Sequence, residues 1–170
     1  MKIVYILLFL LVLPNQVLAL KLTKLNVDLH YPWGMTWISS DKLLITEKKS
    51  HEIILIDTSK NTYQKIDHDL PIEGGRQGGL LDIISEDNNI WITGSIQKEN
   101  GYTTAVFKAK FKNNKLVESK LIFEALPYIP NQIHFGSRMA IQGDHLYVSI
   151  GERGKGMIAQ DPSNAIGSII

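Results

Sequence analysis

The run Gln132-Ile133-His134-Phe135-Gly136-Ser137-Arg138 sets one histidine beside two small residues and an arginine, immediately ahead of an alternating apolar stretch, Met139 to Ile150. Imidazole is the side chain best suited to take up a proton near neutral pH, and small neighbours let another molecule approach the backbone closely. The segment reads as a pocket edge carrying a candidate base, His134. A second polar group, Gln77, lies in the glycine-rich run Gly74-Gly75-Arg76-Gln77-Gly78-Gly79. Its amide both donates and accepts, which suits a hydroxyl ligand. No helical pattern follows these glycines, and a phosphate-cradling loop needs a helix N-terminus, so nucleotide binding is excluded. Each residue also has a plain structural reading: His134 as a hydrogen-bonded turn histidine, Gln77 as the cap of a tight turn. Arg138 reads as an ion pair or backbone clamp between repeats. Glu152, Arg153 and Asp161 read as a structural charge cluster under a loop. His30, His51, His68 and His145 fall in turns or outer strands and receive no site role.

The elements that must position His134 and Gln77 are short strands. Leu20 to His30 alternates loosely and predicts a first outer strand. Met35–Ile38, Leu43–Thr46, Glu52–Asp57 and Thr62–Ile66 follow, joined by polar turns, which makes a meander. The same phrase returns at Leu80–Ile84, Ile90–Thr93, Thr103–Lys110 and Leu116–Phe123, with Asn100-Gly101 as a hairpin signal. A third copy opens with Met139–Ile141 and His145–Ile150. Aligning Leu44, Trp91 and Tyr147 gives steps of 47 (91 − 44) and 56 (147 − 91) residues. A four-stranded unit recurring at about 40–60 residues is the mark of a β-propeller blade. A β-sandwich is the competing all-β arrangement, but it does not explain the threefold return of one phrase. Gln77 and His134 both fall just ahead of the first strand of their repeat, and such strands line a propeller's channel. The two side chains are therefore expected to converge from neighbouring blades, a meeting that no local motif would produce.

The 170 residues are 44% apolar and 21% charged with a formal net charge of +1, as in an ordinary globular protein. No basic run is present to hold a nucleic acid. The absence of cysteine excludes disulfides, thiolate metal sites and a cysteine nucleophile. Residues 1–19 read as a signal peptide: Lys2, eleven apolar residues from Ile3 to Leu13, then Pro14 and the small-residue end Val17-Leu18-Ala19. The run is short of the roughly 20 residues of a spanning helix, although an uncleaved anchor is the alternative. The mature chain, residues 20–170, is then exported, to a periplasm or beyond, and without stable membrane insertion. It holds two blades and part of a third, whereas propellers have about 4–8, so it is expected to be the N-terminal part of a larger domain.

Several of these segments resemble the soluble quinoprotein glucose/sorbosone dehydrogenase family: Gly75-Arg76-Gln77-Gly78-Gly79-Leu80-Leu81-Asp82, His134-Phe135-Gly136-Ser137-Arg138, and Gly151-Glu152-Arg153-Gly154 followed by Ala159-Gln160-Asp161. Tyr31-Pro32-Trp33-Gly34-Met35, followed by Leu44-Ile45-Thr46-Glu47, resembles the opening of the family's first blade, and the aldose sugar dehydrogenase branch is the nearer one. The resemblance implies an all-β, six-bladed β-propeller that binds pyrroloquinoline quinone (PQQ) and calcium and oxidises aldoses at the anomeric carbon to lactones. It implies His134 as general base and Gln77 as the sugar's hydrogen-bond partner. It also implies an aldose substrate and an external electron acceptor, with the quinone and calcium ligands beyond residue 170 and none in this chain. Two positions depart from the family's pattern, Ile133 where a histidine or aspartate is common and Ser168 where a lysine is usual. A non-catalytic propeller module that binds a ligand or protein is the alternative function.

Overall fold

Tight turns whose residues accept a left-handed backbone divide this chain into strands. Asp87-Asn88 and Asn113-Asn114 have φ of 48°, 64°, 52° and 57°, the conformation that joins antiparallel strands through two residues. The computed structural model describes residues 20–99 and 101–170; the signal-peptide reading falls on residues 1–19, outside the described residues, as does Asn100 of the hairpin signal. Strands β1 (Pro32–Trp37), β2 (Lys42–Glu47), β3 (Ile53–Asp57) and β4 (Thr62–Ile66) form one antiparallel sheet in chain order. Strands β5 (Leu80–Glu86), β6 (Asn89–Lys98), β7 (Gly101–Lys112) and β8 (Lys115–Glu124) repeat it. A third sheet opens with β9 (Gly136–Gln142) and β10 (His145–Ile150), and a bridge from Ser149 to Ile169 sets the segment after Gly167 beside β10. Gly156–Gln160 forms one 3₁₀ turn. The fold is all-β and propeller-like.

Side chains alternate between the two faces of a strand, so each sheet serves two interfaces. Leu44, Ile53 and Leu55 of the first sheet meet Leu80, Ile83, Ile90, Ile92 and Phe107 of the second, all buried. On β7 the neighbour of Phe107 points the other way: Val106 packs with Val148 and Ile150 of the third sheet. Truncating one such residue to alanine costs about 2–5 kcal/mol. The remaining face of the first sheet, Leu43, Ile45, Ile54 and Ile56, is covered by Leu25, Val27 and Leu29. The segment keeps the expected alternation over 25–29, but it is not a strand: Leu25, Val27 and Leu29 lie on the sheet face, Leu20 and Leu22 are exposed, and its backbone joins no ladder.

A hydroxyl recurs at one position of the second strand in each repeat, and in the first two repeats it bonds across to the next. Thr46 Oγ1 accepts the Gly34 N–H at 2.9 Å in its own repeat and donates to the Leu81 carbonyl of the next. Thr93 Oγ1 accepts the Asp82 N–H at 2.9 Å and donates to the Ser137 carbonyl at 3.0 Å. Ser149 Oγ donates to the Arg138 carbonyl at 3.3 Å. These hydroxyls lie two residues after Leu44, Trp91 and Tyr147, so the steps read from the sequence are the structural repeat. Gly79 is needed at one junction, because a Cβ there would stand 1.9 Å from the Lys48 carbonyl oxygen.

Candidate active site

The first strands of successive repeats lie side by side, β1 against β5 and β5 against β9. The residues just ahead of them therefore gather at one end. Gln77 and His134, 57 positions apart, meet there: Gln77 Oε1 accepts the His134 backbone N–H at 2.8 Å. The two segments are also joined by the Gln77 N–H to the Gln132 carbonyl at 3.0 Å. A backbone N–H selects the amide oxygen of Gln77, so its Nε2 is left as the outward donor.

His134 sits in the left-handed region, φ 52°, a conformation that histidine adopts more readily than most residues but that still needs support. Support comes from below. The His134 carbonyl lies against Gly151, where a Cβ would come within 1.9 Å of it, and it accepts the Arg153 N–H at 3.4 Å. The side chain of Arg153 is fully buried. Its Nε donates to the Ile133 carbonyl and its Nη1 to the Tyr102 carbonyl, each at 2.9 Å, and its Nη2 donates to the Asn131 carbonyl. The guanidinium carbon stands 3.7 Å from the centre of the Phe135 ring. Burial pushes the Arg153 pKa down to about 10, with the Glu152 charge opposing, so the group remains a cation at neutral pH.

The imidazole is just under half exposed, at 47%, and its Nδ1 contacts Glu152 Oε1. An ionised carboxylate only accepts, so Nδ1 carries the proton and Nε2 offers its lone pair outward. The bond from His134 holds the Glu152 carboxyl below its ordinary value, helped by the N–H groups of Glu152 and Gly154 and opposed by desolvation. Glu152, which the sequence placed in a structural charge cluster, meets His134 instead. That cluster does not form. Glu152 turns to His134, Arg153 turns inward to carbonyls, and Asp161 caps its own turn through the Ser163 N–H at 2.9 Å. A signal was available: a histidine followed by glutamate occurs at 17 residues in the first repeat (His30, Glu47) and at 18 in the third (His134, Glu152).

Arg138 is the inter-repeat clamp that its position suggests. Its Nη1 bonds buried Asp82 on β5 at 2.8 Å and its Nη2 the Trp33 carbonyl on β1 at 3.1 Å, while Asp82 Oδ2 also accepts the Met139 N–H at 2.9 Å. Among the described residues no group of three or more His, Asp or Glu side chains is placed to hold a metal ion. A wide apolar concavity of about 650 Å³, lined by Phe123, Leu126, Pro127, Ile158 and Asn164, includes neither His134 nor Gln77.

Antiparallel meanders repeated around a shared row of first strands make a propeller-like fold, and His134 stands at one end of that row. Comparison with known proteins agrees. The chain belongs to the glucose/sorbosone dehydrogenase family, whose model matches residues 29–170. It is similar to an uncharacterized protein of Synechocystis sp. (31% identity over 145 residues, 74% of this chain and 34% of that one). Its fold is similar to the soluble aldose sugar dehydrogenase of Escherichia coli in the apo form (23% identity, TM-score 0.76, 84% of this chain and 44% of that chain). It is likewise similar to the PQQ-bound aldose sugar dehydrogenase of Streptomyces coelicolor (21% identity, TM-score 0.74, 84% and 44%). The chain thus spans about a third of the curated relative and under half of these solved chains.

Proposed function

We propose that this chain supplies the proton-accepting and sugar-binding wall of a PQQ-dependent aldose dehydrogenase, a six-bladed propeller of which it forms the first two blades and part of a third. The observation that carries the reading is the wiring of His134: Nδ1 on the Glu152 carboxylate, the backbone N–H on Gln77, and Nε2 open. Oxidising an aldose at C1 to its lactone removes a proton from the anomeric hydroxyl and a hydride from C1. His134 Nε2 takes the proton, and Glu152 stabilises the imidazolium that results. Gln77 Nε2 donates to a sugar oxygen and so orients C1 toward the base. Bound PQQ supplies the two-electron acceptor for the hydride, and an external acceptor reoxidises it.

Two arginines near His134 are already engaged within the protein. The guanidinium of Arg138 is engaged by Asp82 and the Trp33 carbonyl, and that of Arg153 by three carbonyls and Phe135. We therefore assign the quinone and calcium ligands to blades outside this chain, and we expect residues 20–170 alone to show no aldose oxidation when PQQ and calcium are added. We place the protein in the periplasm or outside the cell, with a mature N-terminus at or within two residues of Leu20. Recovery of Met1 on exported protein would overturn that processing.

The test is dye reduction with glucose and other aldoses by the full-length protein, with bound quinone measured by absorbance. Aldose-dependent turnover with quinone bound supports the reading. A full-length protein that binds no quinone supports the non-catalytic propeller module instead.

A further inference from the structure

Among the described residues Arg153 is the largest fully buried side chain, and it is a cation. A buried guanidinium is held only where its donors are matched, and two of its three carbonyl partners lie in the loop ahead of His134. Three carbonyls receive it, those of Asn131, Ile133 and Tyr102. Two of them belong to the three residues ahead of His134, and the third lies at the start of β7. Its flat face covers Phe135, the residue after His134. Its own backbone closes the ring: the Arg153 N–H reaches the His134 carbonyl, and the Arg153 carbonyl accepts Asn131 Nδ2 at 3.1 Å. Glu152, which orients the imidazole, is the residue immediately before it, and Glu152 Oε1 is steadied by the Gly154 N–H immediately after it, at 3.1 Å. One planar group therefore fixes both the left-handed backbone of His134 and the turn from which Glu152 reaches Nδ1.

We propose that Arg153 is a positioning residue for the reaction, acting through His134 and Glu152 and touching neither sugar nor cofactor. The inference rests on the reading of His134 as the base. Lysine cannot replace it, because a single ammonium lacks the fork that spans three carbonyls and the plane that stacks on a ring.

The test compares Arg153→Lys, His134→Ala and the double variant in the full-length protein. Turnover is expressed per quinone-loaded site, and thermal melting is recorded alongside. Misplacement of a reacting group by about 1 Å costs on the order of 10²-fold, so Arg153→Lys is expected to lower kcat by about 10–100-fold while KM for the aldose changes less than about threefold. In the His134→Ala background the same substitution is expected to have no further effect on the residual turnover, because the group it positions is gone. An independent readout needs no turnover. The Nδ1 proton of His134, bonded to Glu152, should give a downfield NMR signal in the quinone-free wild type that is lost in Arg153→Lys with amide dispersion retained. If Arg153→Lys does not fold, Phe135→Leu removes the stacked ring alone and is expected to lower kcat by about 3–10-fold with the same epistasis. Unchanged kcat in Arg153→Lys, or an equal loss with and without His134, overturns the proposal and leaves Arg153 purely structural. Near-normal turnover in His134→Ala overturns the base reading itself, and that result appears without any change at residue 153.

Discussion

The first and third repeats carry the same two residue types and wire them differently. His30 and His134 each stand two positions ahead of the first strand of their repeat, and each has a glutamate near the end of the second strand. In the first repeat Glu47 is buried and spends both oxygens on structure: Oε1 accepts the His30 backbone N–H at 2.6 Å and Oε2 the Ser50 hydroxyl at 2.9 Å. The His30 ring is left in solvent, 3.6 Å from Asp28. In the third repeat the backbone N–H is taken by Gln77 from the neighbouring repeat, and Glu152 is thereby free to reach the imidazole. A histidine and a glutamate at this spacing do not make a base. The third group, supplied across the blade boundary, decides which donor the carboxylate meets.

The comparison breaks most visibly at the histidines. His134→Ala should lower kcat by about 10²–10⁴-fold, the usual worth of a positioned general base, whereas His30→Ala should leave kcat unchanged. Equal effects of the two in steady-state dye reduction would refute the difference in wiring. The glutamates should then show crossed effects. Glu152→Gln removes the charge facing the imidazolium and should lower kcat by about 10–100-fold with little change in melting temperature. Glu47→Ala leaves a backbone N–H and a hydroxyl without their buried acceptor and should cost about 1–3 kcal/mol of stability with kcat per folded site retained. Denaturant titration and kinetics on both variants check the crossing.

Gln77 separates the two wirings more finely. Gln77→Ala removes a donor to the sugar and should raise KM by about 3–10-fold, the equivalent of one hydrogen bond. Gln77→Glu keeps an acceptor for the His134 N–H, loses the donor to the sugar and adds a negative charge beside the imidazole. It should therefore match Gln77→Ala in KM and exceed it in kcat. The smallest effect is in pH. The Glu152 carboxyl is held below its ordinary value of 4.5 by its bond with His134. A carboxyl depressed on folding contributes stability above its unfolded pKa and loses it as pH falls through the folded one. The wild type's advantage over Glu152→Gln in melting temperature should thus be flat through neutral pH and should shrink only once pH drops below about 4.5, the unfolded value. A difference that instead vanished between pH 8 and 6 would show that the partner, not Glu152, governs the pair.

Much of this was legible before any coordinates. The repeat steps, nine of the ten strands to within about three residues at either end, and the meeting of Gln77 with His134 all follow from alternation and turn chemistry. The long-range pairing is implied because equivalent positions of a repeat must share one end of the sheet row. What alternation could not give was the fate of charges. Glu152, Arg153 and Asp161 look alike as polar loop residues, yet they go to an imidazole, a set of carbonyls and a local turn. Those choices depend on left-handed backbone at His134 and Arg153, for which no glycine gives notice. The segment 20–30 failed in a different way: its pattern records a buried face truly, but a pattern of side chains carries no information about which backbone, if any, it pairs with.

The hydroxyls of Thr46 and Thr93 give the repeat a direction. Each is anchored to an N–H of its own repeat and reaches forward to a carbonyl of the repeat that follows, never the one before. A nascent polypeptide emerges in that same order, and domains form from the N-terminal side first. A repeat that has just formed therefore displays a hydroxyl donor for a carbonyl of the next inner strand while that strand is still being synthesised. Repeats that add in sequence, each onto the interface left by the last, need no search among the alternative pairings that identical edges would offer. Moving the hydroxyl one residue along β2 would turn it to the opposite face, away from the carbonyl of the next repeat that it now reaches.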